Sequence, residues 1–558
     1  MHPDLPVASN ALPVRLLTWL SAPAVLRAGI AAAFAIFFVL AYWRNVNWDE
    51  FFFLSHVHAH LDGRLNRPLQ TAFVHAFGWI EHVPGHEMEQ IFAARLLMIG
   101  FLGVTCYALF RISQSLSDTR SALIAVFAFV MSGYVLPHGP SFRADPMAAA
   151  GLMSALAIAM TARMSPVHIA ALAVLLALSL LVTIKAVFYF PAFLGALLWR
   201  GNQRGVPLRI FVAGCLSVLL AGGLYALHSA GVEPKPGRDT VSSAGDALNT
   251  ALLENRLLTR WNELAFWALL SIGSIGLATW GIGTAGTRRL TLALFAFALP
   301  FVLSMLFYRN AFPYFFPYIV PPLMVAVAVG AARLGQGVVL GAFLIVTLVS
   351  GVVQVVWSLS EDARLQRATI AEVHRLFPAP VPYIDANGMI SSFPRSAFFM
   401  SGWGLERYRS AGLPALRIAI ERDRPPLLLA NRWALDNAMN DPGPNGGWIP
   451  FFPEDLEALR ETYIHYSGAI WLAGTEVTLG AEPTTVALPF PGTYRLEGAA
   501  AIQVDGRTVP PGGTVSVDEP IRVSGPEGAS VRLVWDTGSP PRPDALPDGE
   551  LYAGFRRF

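Results

Sequence analysis

Apolar stretches recur along the chain up to residue 358, near 25–42, 91–110, 121–137, 146–162, 167–184, 186–200, 210–229, 263–283, 290–307, 313–332 and 336–358. A helix crossing the hydrocarbon core of a bilayer needs about 20 predominantly apolar residues, so the pattern predicts about eleven spans, some of them short. Residues 167–200 read as one long span instead if Lys185 snorkels to the interface. With 54% hydrophobic and 14% charged residues and a mean hydropathy of +0.49, the excess apolar side chains must face lipid.

The arginines between these stretches predict the orientation. The first run, 24–42, is followed by Trp43, Arg44 and Asn45 without a small-residue cleavage site, so it reads as a retained span with a cytoplasmic amino terminus. Arg111 and Arg120, Arg163, Arg200, Arg204 and Arg209, Arg288 and Arg289, and Arg333 then fall on one side, which the positive-inside rule makes cytoplasmic. An odd number of spans delivers residues 359 onward to the other side, with loops 43–90, 138–145, 230–262 and 308–312. The expectation is a multi-pass protein of a bacterial inner membrane with its carboxy-terminal part in the periplasm.

Past Ser360 the composition shifts to Pro, Gly, Asp and Glu with shorter apolar runs. Segments 381–384, 426–430 and 469–473 read as buried strands and 453–462 as a helix. From 476, short alternating runs at 494–496, 502–504, 514–517 and 531–535 between Gly and Pro turns predict a small β-sandwich. The expected fold class is therefore an α-helical polytopic membrane domain, 1–358, followed by a soluble α+β part made of an α/β segment, 359–475, and the sandwich, 476–558. A net charge of +2 with dispersed basic residues argues against nucleic acid as a partner. The two cysteines, Cys106 and Cys215, lie in apolar stretches and offer no disulfide framework.

Ionisable residues are costly in such a chain, so the few near the predicted outer surface carry information. Asn47-Trp48-Asp49-Glu50 follows the first span, and Asn66-Arg67-Pro68-Leu69 lies in the same loop. Arg143-Ala144-Asp145-Pro146 opens the fourth span. Lysine occurs only at Lys185 and Lys235, and Lys185 sits among apolar neighbours, where a compact ammonium either snorkels or holds an anion such as a lipid phosphate. Tyr308 and Arg309 precede a span interrupted by Pro313, Pro317, Pro321 and Pro322, whose broken helix can expose backbone carbonyls to a cavity. His56 and His60 would share one face of a helix and, with a carboxylate, form a weak candidate site for zinc or another divalent metal.

The order of these features, over residues 25–335, resembles the GT-C superfamily of lipid-phosphosugar-dependent glycosyltransferases, akin to bacterial protein O-mannosyltransferases and lipid A aminoarabinose transferases. The resemblance rests on the Asp-Glu pair after span one, the Arg-Pro-Leu segment, the Arg-x-Asp at span four, the Thr183-Ile184-Lys185 triplet and the Tyr- and Pro-rich late span. Two positions depart from the pattern: Asn66 replaces a common acidic residue, and the Thr-x-Lys lacks a following glycine. The resemblance implies a catalytic set of Asp49, Glu50 and Asp145, in which Asp49 or Asp145 is the general base and Glu50 supports it or binds the acceptor. It also implies that Arg67, Arg143, Lys185, Tyr308 and Arg309 hold the donor phosphate. The activity implied is inverting transfer of a hexosyl or pentosyl unit from a polyprenyl-phosphate sugar to a glycan, lipid or protein acceptor on the periplasmic side. The alternatives are a transporter or flippase for a lipid-linked or anionic substrate, which broken spans and intramembrane charges would suit, and a non-catalytic binding scaffold.

Overall fold

The computed structural model describes residues 17–232, 257–440, 448–540, 545–547 and 549–555, so most of the outer loop expected at 230–262 lies outside the described residues. In chain order the apolar half forms α1 (Pro23–Trp43), α2 (Trp48–Leu61), α3 (Glu87–Leu116), α4 (Thr119–Met131), α5 (Ala144–Thr161), α6 (Pro166–Val182), α7 (Phe190–Arg200), α8 (Val206–Ala230), α9 (Trp261–Leu270), α10 (Ile272–Gly283), α11 (Arg288–Phe307), α12 (Pro321–Leu334) and α13 (Val338–Leu359). Six of these (α1, α3, α5, α8, α11 and α13) are long and apolar enough to cross a membrane. The number rises to eight if two bent pairs each count as one span. One pair is α9 with α10, bent by 86°, and the other is Pro313–Ile319 with α12, bent by 61°. The second break falls at Pro321 and Pro322, where ring and missing N–H interrupt the helical ladder. The windows at 121–137, 167–184 and 186–200 fold as the shorter helices α4, α6 and α7. The chain is a multi-pass membrane protein.

Helix α10 crosses α12 with backbone nearly touching backbone. A Cβ on Gly330 would collide with the Leu277 carbonyl, and one on Gly281 with that of Ala326. Lipid provides no hydrophobic drive between helices, so such small-residue contacts hold the bundle. Gly330→Val is expected to force the pair apart and cost about 1–3 kcal/mol, read as a lower melting temperature in detergent; an unchanged melting temperature would contradict this close crossing.

The sheet-containing carboxy-terminal part opens with α14 (Arg364–Leu376) and carries α15 (Gly402–Ala411), α16 (Ala415–Asp423), α17 (Trp433–Met439) and α18 (Pro453–Thr462). Its strands are β1 (Tyr383–Asp385), β2 (Leu427–Leu429), β3 (Tyr463–Ser467), β4 (Ile470–Thr478), β5 (Thr484–Val486), β6 (Gly492–Glu497), β7 (Ile502–Val504), β8 (Arg507–Val509), β9 (Thr514–Val517), β10 (Ile521–Ser524) and β11 (Ser530–Trp535). A seven-stranded sheet runs β1-β2-β4-β11-β6-β9 with β3 beside β4, and a four-stranded sheet runs β5-β10-β7-β8. Val486, Val504 and Val523 of the small sheet share a core with Tyr494, Leu496 and Leu533 of the large one. Strand β4 is continuous across residue 475: its first residues pair with β2 and β3, and its last with β11.

A dense seam joins the two halves. Val46 and Gln366 exchange two 2.8 Å hydrogen bonds, and Arg44 pairs with Glu361 at 3.2 Å. Glu87, at the start of α3, accepts hydrogen bonds from Ser392 (N at 3.1 Å, Oγ at 2.6 Å) and lies 2.8 Å from His374 Nε2. The segment ending in Leu551 and Tyr552 closes the seam: the Leu551 carbonyl accepts from Asn45 at 2.9 Å, and the Tyr552 hydroxyl donates to Asn387 at 3.0 Å.

Candidate active site

The loop after α1 folds into helix α2 because Asn47-Trp48-Asp49-Glu50 is a capping box. The Asn47 side chain accepts from the Asp49 amide at 2.9 Å, and Glu50 accepts from the Asn47 amide at 3.0 Å. Glu50 does more than cap. Its carboxylate is fully buried, is held bidentately by Arg95 of α3 at 2.6 and 2.7 Å, and accepts from the Phe142 amide at 2.8 Å. Burial pushes this carboxyl up, but the Arg95 charge and the three donors outweigh it and hold it below its ordinary range. Glu50 is thus fully engaged in tying α2, α3 and the 138–145 loop together, and it faces no open volume as a catalytic group would.

Asp49, one residue earlier, meets a different arginine. Its Oδ2 accepts from Arg143 at 2.5 Å; Arg143 Nε reaches Asp145 Oδ2 at 3.3 Å; and the other oxygen of Asp145 accepts from Lys185. Side chains from α2, the start of α5 and the turn after α6 thereby form one ladder of alternating charge, Asp49-Arg143-Asp145-Lys185. Aromatic rings of the proline-broken segment line it. The Arg143 guanidinium lies 3.6 Å from the Tyr314 ring centroid, and the Lys185 ammonium lies 5.7 and 5.9 Å from those of Phe315 and Tyr318. The two carboxylates are not equivalent. Asp145 is 2% exposed with both oxygens engaged, whereas Asp49 is 16% exposed and, among the described residues, only its Oδ2 is hydrogen-bonded. The ladder therefore offers one accessible carboxylate oxygen, suited to taking a proton, next to two cations suited to an anion.

Not every expected residue joins the ladder. Tyr308 is close by, its ring packed on Phe188 and on the same Phe315 that faces Lys185. Arg309 is drawn away into an ion pair with Glu406 of α15, beneath Trp403. Arg67 lines a neighbouring cavity with His56 and Arg395. His56 packs against Phe52 and Phe73 while His60 packs against His75, so the two histidines face different neighbours. Among the described residues, no three His, Cys, Asp or Glu side chains are grouped to hold a metal ion.

Three residues escaped the reading of the sequence. Arg95 gave no signal beyond being a lone arginine in an apolar helix, which itself predicts a buried partner. Tyr314 belonged to the Tyr-Pro segment but was not singled out. Arg432, just before α17, reaches α2 from the carboxy-terminal part and lies 4.2 Å from the Trp48 ring centroid; nothing local to residue 432 announces this.

No protein-family model matches the sequence, and no curated protein matches it. Solved structures do resemble the fold. ArnT from Cupriavidus metallidurans, in a structure bound to undecaprenyl phosphate, superposes with a TM-score of 0.52 at 11% identity over 67% of this chain and 86% of its own. The oligosaccharyltransferase of Archaeoglobus fulgidus, without ligand, superposes with a TM-score of 0.52 at 10% identity over 90% of this chain and 76% of its own. Both are GT-C glycosyltransferases, and this chain has a GT-C-like fold.

Proposed function

We propose that the chain is an inverting glycosyltransferase that moves a hexosyl or pentosyl unit from a polyprenyl-phosphate donor to a periplasmic-side acceptor. The observation that carries this reading is the ladder Asp49-Arg143-Asp145-Lys185, a lone accessible carboxylate oxygen beside two cations in a GT-C-like fold. The undecaprenyl phosphate in the ArnT structure supports the donor class. In the reaction the acceptor hydroxyl attacks the anomeric carbon opposite the phosphate, and its proton passes to Asp49 Oδ1. The new C–O bond forms as the sugar–phosphate C–O bond breaks, and the electron pair leaves on the polyprenyl phosphate, whose charge Lys185 and Arg143 meet. The same reading has about eleven spans in a bacterial inner membrane, a cytoplasmic amino terminus and a periplasmic carboxy-terminal part that begins at 359.

The direct test is transfer by the purified protein in lipid, using radiolabelled polyprenyl-phosphate sugars with native membrane extract as acceptor. No transfer with any donor, together with an Asp49→Asn variant indistinguishable from wild type, would overturn the proposal. The two bent helix pairs favour a second reading, a transporter or flippase; uptake or flipping of a lipid-linked substrate that survives Asp49→Asn would support it.

Since the ladder is internally neutral, a donor phosphate has to draw Lys185 and Arg143 away from Asp145. Lys185→Gln removes one of the two cations, so undecaprenyl phosphate is expected to bind about ten- to a hundredfold more weakly to the variant in nanodiscs. Unchanged affinity would exclude Lys185 from the donor site.

A further inference from the structure

A cavity of about 870 Å³ opens between the carboxy-terminal part and α2, the helix that also carries Asp49. Five arginines line it (Arg64, Arg67, Arg395, Arg407 and Arg422) against one carboxylate, Asp423. Asp423 is already bonded to Arg422 at 2.6 and 2.7 Å, and Arg64 pairs with Asp62. Among the described residues neither Arg395 nor Arg407 makes a direct ion pair with a carboxylate, although the charge of Arg395 is felt by the buried Asp385. Arg395 lies beside the stacked rings of Phe52 and Phe399, 5.6 and 5.8 Å from their centroids, and its buried Nη1 has no hydrogen-bond partner. A buried guanidinium hydrogen without an acceptor is costly until an anion supplies one. His56 adds no further charge: burial, then the charges of Arg67 and Arg395, push its imidazole down to about 3.

The rest of the wall suits a sugar. Phe52, Phe393, Phe398 and Tyr408 give the cavity aromatic surfaces. Asp49, Phe52 and His56 share one face of α2, and the rise from Asp49 to His56 is about 10 Å, the length of a disaccharide. We propose that this cavity seats a phosphate-bearing saccharide end of the acceptor, holding the anion on Arg395 and Arg407 while a hydroxyl about two rings away reaches Asp49; this rests on the glycosyltransferase reading above. Guanidinium forks match phosphate oxygens bidentately, which a lysine-lined wall would not.

The test measures binding of glucose 6-phosphate, glucose and undecaprenyl phosphate to the full chain in nanodiscs. Wild type is expected to bind glucose 6-phosphate in preference to glucose, and more weakly as salt rises. Arg407→Gln and Arg395→Gln are each expected to weaken that binding about tenfold and to leave undecaprenyl phosphate binding unchanged. Arg407 is half-buried on the surface of α15, so its variant keeps the test open if Arg395→Gln fails to fold. No binding of glucose 6-phosphate by wild type, or equal binding by both variants, would overturn the proposal. Loss of undecaprenyl phosphate binding in these variants would overturn it too, by assigning the cavity to the donor. Failure of the glycosyltransferase reading is seen separately, in the transfer assay, and leaves these binding results as they are.

Discussion

Asp49→Asn is expected to lower the rate of sugar transfer by about 10²–10⁴-fold, the usual contribution of a general base, while the protein folds and binds donor normally. The substitution is nearly isosteric. The cap of α2 uses the backbone amide of residue 49 and the side chain of Asn47, neither of which changes. The amide oxygen of an asparagine can still accept from Arg143, so the ladder keeps its geometry. What disappears is the basic oxygen, and with one negative charge fewer near Arg143 the donor phosphate should bind no more weakly than before. The predicted split is a fall in kcat at unchanged or tighter donor binding. Asp145→Asn should behave differently: it removes a shared partner of Arg143 and Lys185, so it should disturb donor binding as well as rate. An Asp49→Asn enzyme within a few-fold of wild type would remove Asp49 from the chemistry.

The second large effect concerns stability. Arg95→Leu would leave the Glu50 carboxylate, 0% exposed, without its counter-charge, and breaking a buried pair in this way costs about 3–5 kcal/mol. Glu50→Leu should cost a similar amount by stranding Arg95. The double variant should recover part of the loss but not all, because Arg95 also donates to the carbonyls of Ala41, Arg44 and Asn45 at 3.0, 3.0 and 3.2 Å. Melting temperatures of the two single variants and the double variant give the coupling directly. Additive losses would mean that the pair is not coupled. The pH dependence has a definite sign. With the folded-state value depressed, the unfolded chain takes up the Glu50 proton first as pH falls. This contribution is present at neutral pH and lost on acidification through and below the ordinary carboxylate range.

Much of the ladder was legible before any coordinates, for a physical reason. Charged groups are so costly in an apolar chain that Asp49, Arg143, Asp145 and Lys185 stood out individually, and a count of spans put all four on one face. Their pairing was not legible. Asp49 and Arg143 are 94 residues apart and Asp145 and Lys185 are 40, and nothing local says which oxygen meets which nitrogen. The adjacent carboxylates illustrate the limit. Asn47-Trp48-Asp49-Glu50 contains the capping-box spacing, which assigns Glu50 a local structural task, yet its larger commitment depends on Arg95, 45 residues away. Arg67 and Arg309 lie outside the ladder because carboxy-terminal residues far away in sequence, Arg395 beside one and Glu406 beside the other, decide where they go. In the carboxy-terminal part, the runs at 502–504 and 514–517 became strands with those same bounds, since alternation and flanking Gly and Pro turns specify them locally. The continuity of β4 through residue 475 was hidden, because strand pairing over long separations leaves no mark on composition.

The bond between Asn45 and the Leu551 carbonyl joins residues 506 apart. A ribosome adding about 5–20 residues per second needs roughly 25–100 s to travel between them. Throughout that interval the first helices are already in the bilayer while the wall over α2 is still unmade. During biogenesis, therefore, the nascent protein carries an uncovered ladder well before its carboxy-terminal wall is made. The apolar bundle must stand on its own helix contacts until the last stitch arrives.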